Sequence, residues 1–339
     1  MRQPPAGEGG DGRRQAAGRQ RPALAALSPA SARLRRLRGG AMQRRIWLVF
    51  VVGLTIAAAA VAADAPRPYH VMVTNDDGID APGLEALVRA LAGDGGYRVT
   101  VVAPAENQSV ASNSHVTRRE VALRPHAPVA GAPAWSVDAT PASVARLGLT
   151  AVVADDPPDL VVAGINAGEN DGLGAWTSGT VAAAREAALF GIPGIALSLE
   201  LDWDDPNPDF DMAAIWCRPV IDAIRVHGLP PGVYLNVNIP RDTGAVRGYR
   251  LARMNLAPPT VARFEQVREE PGVRWFRSRW RPPVAAEPGT DSAALHEGWV
   301  AIAALGMDQT SYQAIPFLLT LEPVEPEAPT IELKAVGAR

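Results

Sequence analysis

From about residue 68 onward, short β-rich runs alternate with segments whose apolar positions recur at helical spacing. Residues 70–74, His-Val-Met-Val-Thr, predict a first strand. Pro82 then opens a helix in which Leu84, Leu87, Val88 and Leu91 share one face, the i, i+3, i+4, i+7 pattern. Further strands are predicted at 98–103, 135–138, 159–163, 192–199 and 233–239, and helices at 142–149, 180–190 and 212–226. Strands that alternate with helices predict an α/β fold with a mainly parallel sheet. After about residue 245, Pro, Arg and Trp become more frequent. There 273–280 predicts an exposed strand and 300–304 a short one. Residues 246–339 thus form a β-rich C-terminal extension of the same domain, expected to act as an oligomerisation arm. No internal repeat is visible.

The first 63 residues follow a different pattern. Residues 1–41 are rich in Arg, Ala, Gly and Pro and hold no apolar period. They read as a mis-set translation start with Met42 as the true one; a basic nucleic-acid arm is the alternative. Gln43, Arg44 and Arg45 form a positive n-region, and the apolar run 46–60 is broken only by Thr55. Ala60-Val61-Ala62 offers a small-x-small cleavage pattern before Asp64. This is a signal-peptide pattern, expected over 42–63. The run is short for a spanning helix, which needs about 20 residues. Uncleaved, it would be an N-terminal anchor; Arg44-Arg45 also offers a weak twin-arginine pattern. Each reading places the body outside the cytoplasm, in a periplasm or secreted.

Charge changes once this leader is set aside. The 339 residues carry a formal net charge of −3. Residues 1–45 hold 11 Arg against two acids, Glu8 and Asp11, whereas the remainder holds 22 basic and 34 acidic residues, a net of −12. So acidic a body argues against a nucleic-acid polymer as partner, which would need a basic stripe. The single cysteine, Cys217, excludes an internal disulfide and reads as a small core residue on a helix. No Cys/His cluster has zinc spacing.

The polar residues that carry chemistry follow predicted strands, where an open α/β sheet places its ligands. Thr74-Asn75-Asp76-Asp77-Gly78 follows the first strand. Adjacent carboxylates there are costly unless a cation or protons relieve their repulsion, although the same string is good turn chemistry. A loop of hydroxyls and amides, 104–114, follows the second strand. From it Asn107, Ser109, Ser112 and Asn113 each have the right chemistry to join the carboxylates. Gly164-Ile165-Asn166-Ala167-Gly168-Glu169-Asn170 follows a later strand, and Thr177-Ser178-Gly179-Thr180 opens an Ala-rich helix. Free N–H groups and hydroxyls at a helix start suit a phosphate. All these ligands are oxygen donors, which selects Mg²⁺, Mn²⁺ or Ca²⁺ over zinc or copper. Together they predict metal-assisted phosphoester hydrolysis.

The blocks 74–83 (Thr-Asn-Asp-Asp-Gly-Ile-Asp-Ala-Pro-Gly), 103–109, 112–114, 139–142, 164–168 and 178–184 (Ser-Gly-Thr-Val-Ala-Ala-Ala) occur in an order that resembles the SurE family of nucleotidases and acid phosphatases. The resemblance runs from about residue 69 to 310, and 289–300 resembles the family's C-terminal block. It implies a three-layer α/β/α Rossmann-like fold over 68–245. It implies a divalent cation on Asp76, Asp77, Ser109 and Asn166, with Asp76 and Asp77 as the catalytic carboxylates. Substrate would be held by Asn75, Asn113, Asn170, Ser178, Gly179 and Thr180. The implied activity is hydrolysis of nucleoside 5′-monophosphates, and of 3′-monophosphates, by water activated at the cation. The implied assembly is a homodimer or homotetramer.

Some positions depart from the family pattern. Val110 stands where the family has Gly after the metal-binding Ser, so the loop is expected to be shaped differently, because Val resists positive φ. Ser143-Val144 replaces Asp-Cys, and Ala163 replaces Ser. Two rival readings follow from the residues. One is an exported nucleotide- or phosphate-binding module without turnover. The other is a scaffold with an inert Ca²⁺ site at Asp202, Asp204, Asp205 and Asp209, against which stands an ordinary loop before a helix. His296 is a candidate acid by residue type alone.

Overall fold

The computed structural model describes residues 67–93, 95–202, 205, 207–257, 261–280 and 286–320. The leader expected over 42–63 and the acidic-loop residue Asp204 lie outside them. Among the described residues no helix is long and apolar enough to cross a membrane.

The chain runs β1 (Tyr69–Thr74), α1 (Pro82–Ala92), β2 (Tyr97–Pro104), β3 (Leu123–Val129), β4 (Ala132–Val137), α2 (Pro141–Leu147) and β5 (Leu160–Ala167). It continues through α3 (Gly179–Leu189), β6 (Gly194–Leu199), α4 (Phe210–His227) and β7 (Val233–Ile239). The C-terminal part holds β8 (Tyr249–Leu251), β9 (Val261–Glu270), β10 (Val273–Trp280), α5 (Asp291–His296), β11 (Val300–Gly306) and α6 (Ile315–Leu318).

The main sheet has nine strands in the order β3-β4-β2-β1-β5-β6-β7-β11-β8. From β4 through β7 every neighbouring pair is parallel. β3 and β11 join their neighbours β4 and β7 antiparallel. Side chains along a strand alternate between faces, and the core divides accordingly. Val71 and Val73 of β1 pack with Leu84, Leu87 and Leu91 of α1 and with Cys217 and Ile221 of α4. Met72, between them, packs on the other face with Val144 of α2 and Ala187 of α3. This is the three-layer α/β/α arrangement. Burying each leucine of α1 contributes about 1.5–3 kcal/mol relative to leaving it exposed.

Most boundaries fall within a few residues of those predicted from the sequence. The misses have physical reasons. β3 carries Pro125 and Pro128, which argue against a strand until it is seen to be an edge strand, where Pro is tolerated. β9 is dense in Arg and Glu and offers no clean alternation. α5, of six residues, is too short for a helical period. The C-terminal extension is only partly separate, because β8 and β11 complete the main sheet while β9 and β10 form their own two-stranded sheet. Val110 also corrects an expectation. The chain takes φ 65° there despite the β-branched side chain, so the loop keeps the left-handed turn.

Chain connectivity fixes where a ligand can sit. From β1 the chain moves one way, to β2 and β4, and then returns to the other side of β1 with β5. Between β1 and β5 the direction reverses, and a crevice opens at the carboxyl ends of those strands.

Candidate functional site

Both carboxylates lie at that reversal. Asp76 follows the end of β1 and is only 2% exposed. Asn75 forms a local turn: its Nδ2 donates to the Gly78 carbonyl at 2.7 Å, and its Oδ1 accepts from the Gly78 N–H at 3.3 Å. That turn fixes the backbone carrying the two aspartates. Asp77 Oδ2 accepts from the Ala167 N–H at 3.0 Å, which ties the end of β1 to the end of β5.

The start of α3 meets Asp76 from the other side. The Thr180 hydroxyl donates to Asp76 Oδ1, and the N–H groups of Gly179 and Thr180 also donate to this carboxylate. A helix N-terminus carries a partial positive charge and stabilises an anion placed there. The contact requires Gly179. A Cβ at that position would stand 2.8 Å from Asp76 Cβ, Asp76 Oδ2 and Pro141 Cγ. Ser178 caps the helix, its Oγ accepting from the Val181 N–H at 3.1 Å.

The 107–112 loop closes over both groups. The Gln108 N–H donates to the Asp76 carbonyl at 2.7 Å, and Asn107 Nδ2 lies 3.5 Å from Asp77 Oδ1. Asn107 Oδ1 accepts from the Ser109 N–H at 2.9 Å, so Ser109 is the exposed residue next to this docking point. Further along, the Ser112 N–H donates to the Thr177 carbonyl at 3.1 Å. Asn166, 8% exposed, uses its Nδ2 on the Gly168 carbonyl at 2.7 Å, which leaves Oδ1 as the acceptor end. Asn170 is held in the next loop. Its N–H donates to Asn238 Oδ1 at 2.7 Å, its Nδ2 to Ser198 Oγ at 2.9 Å, and its carbonyl accepts from Asn236 Nδ2 at 2.8 Å. Asn113 lines an adjoining cavity with Trp176 and Val181.

The electrostatics suit a cation. Burial raises the Asp76 carboxyl, while the Thr180 hydroxyl and the N–H groups of Thr180 and Gly179 pull it down. The Asp77 carboxyl is pushed up to about 6, first by burial and then by the charge of Asp76, against the Ala167 N–H. Among the described residues neither carboxylate has an Arg, Lys or His ion pair. Two carboxylates with no cationic partner among the described residues, together with the Asn166 amide oxygen and the Ser109 hydroxyl from neighbouring strand ends and loops, are oxygen donors of the kind a hard divalent cation takes. Among the described residues no group of three or more His, Cys, Asp or Glu is placed to hold a metal, so Asp76 and Asp77 are the charged donors of this site.

The family model for "Survival protein SurE" matches residues 71–258. The chain belongs to the SurE family. The SurE match covers β1 through β8 and so includes the elements that carry Asp76, Asp77, Ser109, Asn166 and Thr180. Among curated relatives, the "5'-nucleotidase SurE" of Chloroflexus aggregans is 39% identical over 249 residues, 72% of this chain and 95% of that one. The "5'-nucleotidase SurE 1" of Thermus thermophilus is 39% identical over 250 residues, 72% of this chain and 94% of that one. The "5'-nucleotidase SurE" of Desulfatibacillum aliphaticivorans is 36% identical over 249 residues, 72% of this chain and 94% of that one. A crystal structure of the SurE protein from Aquifex aeolicus superposes with a TM-score of 0.62 at 31% identity, over 74% of this chain and 98% of that one.

Asn236, Asn238 and Ser198, which shape this SurE site, lie outside the sequence blocks that carry the family resemblance. Asn236 and Asn238 hold Asn170 from β7, and Ser198 holds it from β6. Two amides at i and i+2 within Val-Tyr-Leu-Asn-Val-Asn-Ile are the one sign the sequence gives, because buried polar groups in a central strand need partners. Asp291 braces the next turn, its Oδ2 accepting from the Gly172 N–H at 2.9 Å. His296 is exposed and acts electrostatically on Asp171. Cys217 is fully buried, and burial raises its thiol far above the ordinary range. In the acidic loop, Asp209 caps α4 by accepting from the Met212 N–H at 2.9 Å, and Asp205 accepts from the Asn207 N–H at 2.8 Å.

Proposed function

We propose that this chain is a divalent-metal-dependent phosphomonoesterase that hydrolyses nucleoside 5′-monophosphates, and 3′-monophosphates as well. The observation that carries the reading is the pair of adjacent carboxylates, Asp76 and Asp77, at the sheet's reversal point, with no cationic side chain paired to them among the described residues. Membership of the SurE family and relatives named 5′-nucleotidases support the choice of reaction and substrate.

Asp76, Asp77, Ser109 and Asn166 would hold Mg²⁺ or Mn²⁺, with Ca²⁺ as a further fit. When bound, such a cation supplies charge stabilisation at a phosphate oxygen and a lowered pKa for water. The protein's own contribution is placement. Thr180 and the first N–H groups of α3 fix Asp76, and the Ala167 N–H fixes Asp77. Asn170, held by three partners, and the Ser178 hydroxyl at the helix start would meet the phosphate oxygens. Fixed dipoles of this kind stabilise developing charge without reorganising, which is the main means of accelerating phosphoryl transfer.

The reading extends to location and assembly. The n-region, apolar run and cleavage pattern of 43–63 support export, to a periplasm or beyond. The two-stranded sheet of β9 and β10 supports a homodimer or homotetramer, because an isolated hairpin is marginal in water unless something covers it.

The test is phosphate release from AMP by residues 64–339, assayed with Mg²⁺ or Mn²⁺ and again with EDTA. Metal-dependent release is expected. Release that EDTA leaves intact overturns the metal assignment. Tight AMP binding with no release makes the chain a binding module.

A further inference from the structure

A cavity of about 180 Å³ opens beside the start of α3. Trp176, two residues before the cap Ser178, forms part of its wall, and Val181 and Arg185, one helical turn apart, line its α3 side. Tyr234 of β7 contributes a second aromatic ring, and Asn113 and Gln309 add amides. The cavity therefore lies along the helix whose first turn touches Asp76, with neither Asp76 nor Asp77 in its lining. From Gly179 to Arg185 the helix rises about 9 Å, a span comparable to that from the phosphorus to the base of a nucleoside monophosphate.

Arg185 is the informative residue. It is half-buried, yet among the described residues its guanidinium makes no ion pair, hydrogen bond or ring contact. Its neighbour Glu186 is by contrast fully engaged, taken by Arg146 and His115 on a different face of the helix. A partly desolvated guanidinium in a cavity that two aromatic side chains also line is suited to stacking on a flat, electron-rich ring. Trp176 is 46% exposed. Its backbone is nevertheless pinned, since its carbonyl accepts from Ser112 Oγ at 2.7 Å. A fixed backbone lowers the ordering cost of presenting the ring to a ligand.

The groove that Asp77 itself lines is chemically different. It is lined by Asp77, Asp80 and Glu106 around the 77–83 turn. It offers carboxylates and one buried ring, Phe210, but no cation and no pair of aromatic walls.

We propose that the cavity formed by Trp176, Arg185 and Tyr234 receives the base of the nucleoside monophosphate, with Arg185 and Trp176 setting the preference for a base-bearing substrate. This rests on the nucleotidase reading above and adds where the base lies and which residues recognise it.

The experiment compares AMP with ribose 5-phosphate, the same phosphoester without a base, in the chain with its divalent cation. Arg185→Gln and Trp176→Ala are expected to lower the ratio of kcat/KM for AMP to that for ribose 5-phosphate about tenfold, the size of one lost base stack. Asp80→Asn, in the other groove, is expected to leave the ratio unchanged. A ratio unmoved by Arg185→Gln and Trp176→Ala, or moved only by Asp80→Asn, overturns the proposal. If Trp176→Ala does not fold, Arg185→Gln carries the test alone, since that side chain makes no bond the fold relies on. Failure of the parent chain to hydrolyse either compound overturns the nucleotidase reading instead. A titration with adenosine then decides the cavity: saturable quenching of tryptophan fluorescence, lost in Arg185→Gln, supports it, and absent or unchanged quenching overturns it.

Discussion

The Thr180 hydroxyl donates to Asp76 Oδ1, so the first turn of α3 and the end of β1 meet at one carboxylate. Helix and strand are more than a hundred residues apart in the chain, and each carries its own recognisable block. The contact explains why Ser-Gly-Thr opens α3: Ser178 caps it, Gly179 lets it approach, and Thr180 grips the aspartate.

Thr180→Val keeps the shape of the side chain and removes the donor. A buried hydrogen bond to a charged group is worth about 1.5–3 kcal/mol. Cation affinity is therefore expected to weaken tenfold or more, read by calorimetric titration with Mn²⁺, and activity at limiting metal to fall with it. Thr180→Ser should recover most of the loss. Equal affinity in Thr180→Val and the parent would show that the hydroxyl does not order Asp76.

Gly179→Ala tests the close approach itself. The new methyl would stand 2.8 Å from Asp76 and from Pro141. Overpacking of this kind costs about 1–3 kcal/mol. A fall of several degrees in Tm is expected, together with loss of metal-dependent phosphate release. An unchanged Tm would mean that the helix start can move away from β1 freely.

Asp77 gives the metal-free chain a pH dependence of definite sign. Its carboxyl titrates at about 6 in the fold, raised from 3.8. Between those values the folded chain holds a proton that the unfolded chain has released, so this group's contribution to stability falls as pH rises through the window. Over the whole window the contribution is on the order of 3 kcal/mol. Thermal melts in EDTA at pH 5 and pH 7 should show it as a difference between the parent and Asp77→Asn, which lacks the group. Adding Mg²⁺ at pH 7 should stabilise the parent more than the variant. Parallel melts at both pH values would contradict the assignment.

The sequence makes the strand-end residues visible because their chemistry is local. Asp76-Asp77 and Ser178-Gly179-Thr180 are each unusual strings, and the strand–helix alternation says which end of the sheet they occupy. The pairings between strings are less visible. Nothing in the order of residues says that the α3 N–H groups serve a carboxylate rather than stand free for phosphate. The side chains that hold Asn170, from Ser198, Asn236 and Asn238, sit inside strands where only burial reveals them. Val110 shows the opposite error. The local rule against positive φ in a β-branched residue is sound, but the loop is tied at Gln108 and Ser112 and dictates the conformation.

Val110→Gly follows from that strain. A left-handed φ costs a non-glycine residue about 1–2 kcal/mol, and glycine gives back roughly 0.5–1 kcal/mol through a more flexible unfolded chain. The expected net effect is a gain of about 0.5 kcal/mol, seen as a higher denaturation midpoint in urea. A lower midpoint would mean that the Val110 side chain, 72% exposed here, is covered in solution.

The β9–β10 hairpin supplies the last prediction. Phe264 pairs across from Ser278, and Phe276 from Gln266, so both rings fall on one face, with Arg263, Glu265 and Arg277 on the other. Phe264 and Phe276 are 68% and 52% exposed, and no other strand joins this sheet among the described residues. A second copy of the chain would cover that face and fix the hairpin. Phe264→Glu with Phe276→Glu is therefore expected to halve or quarter the mass measured by light scattering in solution, without lowering the melting point of the main body. A parent chain that already runs as a monomer, or a double variant of unchanged mass, would remove the hairpin as the contact.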